Sequence, residues 1–437
     1  AKSESIYVTP ESDVKLTMYR DVGRIDAEVL VPIDEVEDKT LSTWFSKVCS
    51  YFRCHGYFRV EHLIALTTEL TPWPRITRIV TTFGRQPDSD LFVFGNCCYE
   101  RGVLYTHEEM GVTVLPHLFG GKEVIIPIPL AKFPKILIVP QDWVRYTFFV
   151  NFYSTILPQQ FLNNTMQAKA SFALSVMHLQ CSKFWDGGAV GDIVPTGWLK
   201  SAAPNTGKTE IVIACNAFAG WWHKKITMGA CSSLPAVIKR LTMQRDLSLC
   251  LDEIATKVSA DQEKSKKLKD IVHMCANGSS REVCGKSEEP LTTFIGTANI
   301  VVNEDDDAFL QRLLLILFSP LNAEGVDMSA SAPRQEEWKA AKELLSCLQP
   351  DLERILWEGK LDREALTDWC HFMNLATSTV YSRNANLWGF LGYYMCMLEA
   401  MSQGTTEDLD AIFEFLCKSV VRQNYMATKH SSQMNQF

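Results

Sequence analysis

The run SAAPNTGKTE, residues 201–210, limits what this chain can fold into more than any other stretch. A loop that cradles phosphate needs converging backbone N–H groups, a Lys to neutralise charge and a hydroxyl to hold Mg²⁺. Gly207, Lys208 and Thr209 supply the last three positions of the pattern G-x-x-x-x-G-K-S/T, and Pro204, Asn205 and Thr206 fill its interior. Ala202 stands where the first Gly belongs, small but with less backbone freedom. Such a loop requires a strand before it and a helix after it. "GWLKSA" is a strand candidate on one side, and "TEIVIACNAFAG", apolar on nearly every side, is a helix buried against a sheet on the other.

The chain beyond the loop keeps alternating. "KKITMG" reads as a strand, "LPAVIKRLTM" as a helix, "LSLCLDE" as a strand, then a long polar helix to Met274, then the strands "LTTFIGTAN" and "LLLILF". This order implies an α/β sheet, and the apolar strands imply burial on both faces. "LSLCLDE", residues 247–253, ends in Asp252 and Glu253, which places two carboxylates at the carboxyl end of a strand beside the loop. Asp252 there holds the water shell of Mg²⁺ and Glu253 polarises an attacking water. The plainer reading is an acidic pair capping the next helix. Asn299 ends the following strand and presents an amide that can orient water. Arg312 immediately precedes the last strand, either as a finger toward a neighbouring subunit or as an ion-pair partner of the acids at 304–307.

Together these motifs resemble a superfamily 3 helicase, one of the AAA+ motors of viruses, plasmids and mobile elements, over about residues 196–320. The resemblance implies an α/β AAA+ P-loop NTPase core, with an N-terminal β-rich α+β domain and helical flanking segments around it. It implies ATP and Mg²⁺ as cofactors, with Ala202, Pro204, Asn205, Thr206, Gly207, Lys208, Thr209 and Asp252 holding the nucleotide, and Thr209 and Asp252 holding the metal. Glu253 becomes the base, Asn299 the γ-phosphate sensor and Arg312 the residue that completes a neighbour's site in a hexameric ring. "SSREVCGKSEEP" fits a hairpin that faces the pore, with a turn at Gly285 and Lys286 at its tip. Lys286 and Arg281 then touch the nucleic-acid backbone. The implied activity is ATP-driven translocation on single-stranded nucleic acid, DNA above RNA, in the replication of a viral or mobile element. An AAA+ remodelling or signalling ATPase with no nucleic acid in its pore is the alternative.

Bulk properties set the outer limits. The 437 residues allow two or three domains. With 46% hydrophobic and 22% charged residues, the composition is that of a globular protein and argues against disorder for most of the chain. A net charge of −8 argues against indiscriminate binding of polyanions, so any such contact is local. Thr256 to Lys286 is the place for it, with seven basic residues against four acidic. No apolar run approaches the roughly 20 residues of a membrane span, and the opening AKSESIYVTPESD lacks a signal pattern. The 14 Cys read as reduced thiols of a cytoplasmic or nuclear protein. Cys49, Cys54, His55, Cys97 and Cys98 have no standard zinc spacing, and the four cysteines read as packed thiols. Four regions are expected: a β-rich domain over 1–150, a helical collar and linker over 151–195, the ATPase core over 196–322 and a helical region over 323–437. Within the first, "SIYVTP", "RITRIVTTFG", "DLFVFGN", "GVLYTHE", "EVIIPIPL" and "KILIVP" read as strands and "DKTLSTWFSKVCSYFRCHG" as a helix.

Overall fold

The structure is a computed structural model that describes residues 7–8, 13–20, 24–32, 77–80, 82–87, 89–114, 133–185, 194–201, 203–222, 227–228, 234–255, 262–279, 281–283, 286–299, 307–321, 331–358, 363–378 and 383–434. The chain divides into two compact units, residues 1–81 with 105–128, and residues 82–104 with 129–437. This differs from the single expected domain over 1–150, because part of that stretch packs with the central block.

The first unit carries a sheet of β1 (Tyr7–Val8), β2 (Asp13–Arg20), β3 (Arg24–Pro32), β4 (Thr77–Val80) and β9 (Val112–Val114), in the order β3-β2-β1-β4-β9. Its longest pairing is the antiparallel β2–β3 hairpin, running from Asp13 opposite Pro32 to Arg20 opposite Arg24. The expected helix "DKTLSTWFSKVCSYFRCHG" and strand "EVIIPIPL" lie outside the described residues.

In the second unit, β5 (Phe83–Arg85), β6 (Leu91–Val93), β7 (Cys98–Glu100), β8 (Val103–Tyr105) and β12 (Gln244–Arg245) form a small sheet ordered β12-β5-β6-β7-β8. The parallel pairing of Phe83 with Gln244 joins two stretches far apart in sequence. Buried Arg85 reinforces the join, donating through Nε to Asp246 Oδ2 at 2.7 Å. "KILIVP" is not a strand. The Ile136 N–H donates to Asn96 Oδ1 (3.1 Å) and Asn96 Nδ2 donates back to the Ile136 carbonyl (2.8 Å), while the Leu137 N–H donates to Ser346 Oγ (2.9 Å). Side chains take the bonds that a neighbouring strand would need.

The helices α1 (Asp142–Asn151), α2 (Leu157–Phe161), α3 (Thr165–Met177) and α4 (Cys181–Trp185) follow. The helical spacing of 155–185 is interrupted at 162–164, where Leu162 takes a φ of +50°. Small residues Ala168, Ala170 and Ala173 let α3 sink into the core from Ala168 onward. His178, just beyond it, is completely buried. Its Nε2 lies 3.1 Å from the Pro195 carbonyl and its Nδ1 lies 2.8 Å from Ser248 Oγ. A carbonyl only accepts, so Nε2 carries the hydrogen and Nδ1 accepts from Ser248. Burial drives the pKa of this imidazole down to about 3 and keeps it neutral.

The central sheet comprises β10 (Thr196–Lys200), β11 (Thr227–Met228), β13 (Leu249–Ala255), β16 (Phe294–Ala298) and β17 (Leu313–Leu317), ordered β11-β13-β16-β10-β17. Every neighbouring pair is parallel. Among the described residues, α5 (Lys208–Asn216), α6 (Leu234–Leu241) and α7 (Gln262–Asn277) connect its strands up to β16. Trp198, Leu249, Leu251, Phe294, Leu313 and Leu315 pack with side chains of α6 and α7 in one buried cluster. After the short α8 (Asp307–Leu310) and β17, the described residues form the helices α9 (Ser331–Leu344), α10 (Gln349–Glu358), α11 (Arg363–Ala376), α12 (Arg383–Met401) and α13 (Thr406–Met434). Edge strand β17 is covered from α13, where buried Gln423 donates to the Leu310 and Leu313 carbonyls at 2.8 Å each.

Candidate functional site

β10 delivers the chain to the loop, and α5 begins at Lys208. Gly207 has a φ of +83°, and a Cβ there would lie 2.9 Å from the Phe161 ring, so both conformation and space demand glycine. Asn205, at φ +54°, is a residue type that tolerates the left-handed region. The Lys208 side chain turns inward, with Nζ donating to the Ser201 carbonyl (2.9 Å) and to Asn299 Oδ1 (3.0 Å). Burial lowers its pKa from the usual lysine value, against the pull of Asp252 and Glu253. The amide of Asn299 is at the end of β16, which lies between β10 and β13 in the sheet. That order places the amide between the lysine and the carboxylates.

On the far side of that amide, Thr209 Oγ1 donates to Asp252 Oδ1 at 3.0 Å. Thr297 Oγ1 donates to the same carboxylate oxygen at 2.6 Å, and accepts the Glu253 N–H at 2.8 Å. Glu253 has a φ of +46°, a strained conformation for a residue with a Cβ. β13 therefore does not end at Asp252-Glu253 as the sequence suggests. It passes through a register shift between Leu251 and Ala255 and resumes pairing at Ala298. Ile254 folds over Gly296, where a Cβ would be only 1.5 Å from Ile254 Cδ1. The glycine in "FIGTAN" makes room for the bulge, and the bulge sets the two carboxylates at the mouth of the loop.

Lys208, Thr209, Asp252 and Asn299 thus converge, with Gly207 and Thr206 beneath them. Pro204 and Asn205 lie exposed at the loop's crest, and Ala202 falls outside the described residues. Arg312 is elsewhere. It precedes β17, with its carbonyl accepting the Thr196 N–H at the opposite end of the sheet. Along a five-residue strand, at ~3.3 Å per residue, it stands roughly 16 Å from the loop. Its Nη1 donates to the Ala308 carbonyl. β14 (Arg281–Val283) and β15 (Lys286–Glu288) form an antiparallel pair with Val283 opposite Lys286, so Arg281 and Lys286 belong to one hairpin.

Three partners of the site carry no motif signal of their own. Thr297, within "LTTFIGTAN", is one. Asn164 reaches the loop from the turn before α3, donating to the Thr206 carbonyl at 3.1 Å. Glu210 Oε2 accepts from Trp338 Nε1 (2.8 Å) and Lys342 Nζ (2.7 Å), both on α9. Of the sulfur cluster, Cys97 and Cys98 are buried thiols whose pKa values are each pushed up to about 12, by burial first. Cys49, Cys54 and His55 lie outside the described residues. Among the described residues no group of three or more His, Cys, Asp or Glu is placed to hold a metal, and no helix is long and apolar enough to cross a membrane.

With this geometry in place, likeness to known structures becomes informative. The chain is similar to the active helicase Cch of the type IV SCCmec element, with a TM-score of 0.61. The match covers 97% of this chain and 74% of that one at 12% sequence identity. The chain has a helicase-like fold. No protein-family model and no curated protein matches it.

Proposed function

We propose that this chain is an ATP-driven motor on single-stranded nucleic acid, DNA above RNA, with an AAA+ P-loop core of the superfamily 3 type. The observation that carries this reading is the convergence of Lys208, Thr209, Asp252 and Asn299 at the carboxyl ends of parallel strands. The fold shared with an active helicase supports it. Lys208 neutralises the phosphates, while the backbone of residues 205–209 cups them. The Thr209 hydroxyl and Asp252 carboxylate are hard oxygen donors of the kind Mg²⁺ prefers, and they already meet. The ion, when bound, offsets charge on the transferring phosphoryl group. Glu253 draws the proton from the attacking water, and Asn299 orients that water against the γ-phosphate. Arg312 completes the site of a neighbour in a ring, and Lys286 and Arg281 contact the strand's phosphates from the hairpin.

The test is Mg²⁺-dependent ATP hydrolysis by the purified chain, with and without single-stranded DNA. Glu253→Gln should retain nucleotide and lose at least ~10²-fold in turnover, the range for a general base. Equal hydrolysis by the two proteins would overturn the assignment. Hydrolysis indifferent to DNA would favour a remodelling ATPase instead.

A further inference from the structure

The carboxamide of Asn164 is fully buried in the turn between α2 and α3, and every hydrogen-bonding position it has is used. Nδ2 donates to the Thr206 carbonyl (3.1 Å) and to the Ser319 carbonyl (2.7 Å). Oδ1 accepts from the Ser319 N–H and from Ser319 Oγ, each at 3.1 Å. One side chain therefore joins three segments: the turn before α3, the Gly-Lys-Thr loop and the stretch just after β17. A second bond runs parallel to it, from the Leu321 N–H to the Asn205 carbonyl at 3.3 Å.

The consequence follows from peptide geometry. In a trans peptide the C=O and the following N–H point in opposite directions, and no cis bond occurs among the described residues. Holding the Asn205 and Thr206 carbonyls outward turns the N–H groups of Thr206 and Gly207 the other way, into the loop's concavity. Successive inward N–H groups flanking left-handed residues form an anion-binding nest, and Asn205 and Gly207 are left-handed here. A free Thr206–Gly207 peptide could rotate and present its carbonyl oxygen to the phosphates. Asn164 forbids that rotation.

We infer that Asn164 is a positioning residue for nucleotide binding: it fixes the phosphate loop in its anion-accepting form and ties that form to the turn before α3. The inference rests on the reading of this loop as a nucleotide site. Asn163, its exposed neighbour, donates to Ser319 Oγ (2.8 Å) and the Pro320 carbonyl (3.1 Å) on the stretch after β17, which makes it the comparison residue.

The experiment titrates the full chain with MgADP by calorimetry and follows ATP turnover at saturation. Asn164→Ala should weaken MgADP at least tenfold, while kcat at saturating ATP stays within about threefold of wild type; Asn163→Ala should bind within about twofold. Should Asn164→Ala fail to fold, Asn164→Asp keeps the size and the acceptor but loses both donors. Its affinity should be equally weakened at neutral pH and should recover in part as pH falls, because a protonated carboxyl can again donate to the Thr206 carbonyl. Wild-type affinity in either variant, or equal weakening in Asn163→Ala, overturns the inference. A wild-type chain that binds no MgADP overturns the nucleotide reading itself, and the inference with it.

Discussion

Thr297 shows how much one hydroxyl can hold. It donates to the Asp252 carboxylate and accepts the Glu253 N–H, so it fixes both the proposed metal ligand and the strained backbone of the proposed base. Thr297→Val keeps the shape and removes both bonds. It leaves the half-buried Glu253 N–H without this partner, at a cost of about 1 kcal/mol in stability. Turnover should fall at least ~10-fold, since small displacements of a catalytic group are expensive, and Thr297→Ser should recover most of it. Denaturant unfolding and kcat, measured on the three proteins, check this; unchanged kcat in the valine variant would remove Thr297 from the site. The residues that meet here were legible where chemistry writes a contiguous signature: Gly-Lys-Thr, Asp-Glu and the strand-ending Asn. Thr297 carries no signal in the sequence because its partner is 45 residues away, reached only through the bulge. Asn164 left no trace at all, since a lone Asn in a helical run carries no signal of a carbonyl 42 residues downstream.

At the scale of elements, α3 and the turn after it act as a fastening between strands. Through His178 this segment holds Pro195, which leads into β10, and Ser248, which leads into β13. The imidazole is neutral when folded, with a pKa near 3, against about 6.5 when unfolded. Between those values the unfolded chain binds the extra proton, so this contribution is complete above pH 6.5 and is lost as pH falls toward 3. The loss is up to about 1.4 kcal/mol per pH unit for one proton. His178→Gln can keep one donor and one acceptor without titrating. Its unfolding free energy should therefore fall less than that of wild type between pH 7 and pH 5, as followed by urea titration. Matching slopes would show that the imidazole does not carry the effect. The apolar run Leu313–Phe318 implies a strand buried on both faces, and the strand Leu313–Leu317 is buried from Leu313 to Ile316. "KILIVP" misled because its pattern is that of a strand while its backbone bonds go to Asn96 and Ser346. The β5–β12 pairing was not legible, because no local periodicity records which distant segment completes a sheet.

Across the whole molecule, the Gly-Lys-Thr loop and Arg312 lie at opposite ends of one parallel sheet. Arg312 cannot serve the loop of its own chain, and if it serves any nucleotide it serves a neighbour's. A finger supplied in trans contributes ~10³–10⁵ in rate, or about 4–7 kcal/mol of barrier. Arg312→Ala and Lys208→Ala chains should each be inactive alone and partly active when mixed, because some composite sites are then intact. No recovery in an oligomer shown to contain both would assign Arg312 to structure alone. One further link runs outward from the loop. Glu210, the residue after Thr209, grips the indole N–H of Trp338 and the ammonium of Lys342, and Trp338 stacks on Phe152 and meets Phe161 edge-on. An indole hydrogen-bonded to a carboxylate emits at a wavelength and yield that depend on that bond. A shift in the first turn of α5 should therefore change the light from Trp338, one of 11 tryptophans in the chain, so that if the loop takes a ligand as proposed, α9 carries an optical gauge of it with no added dye.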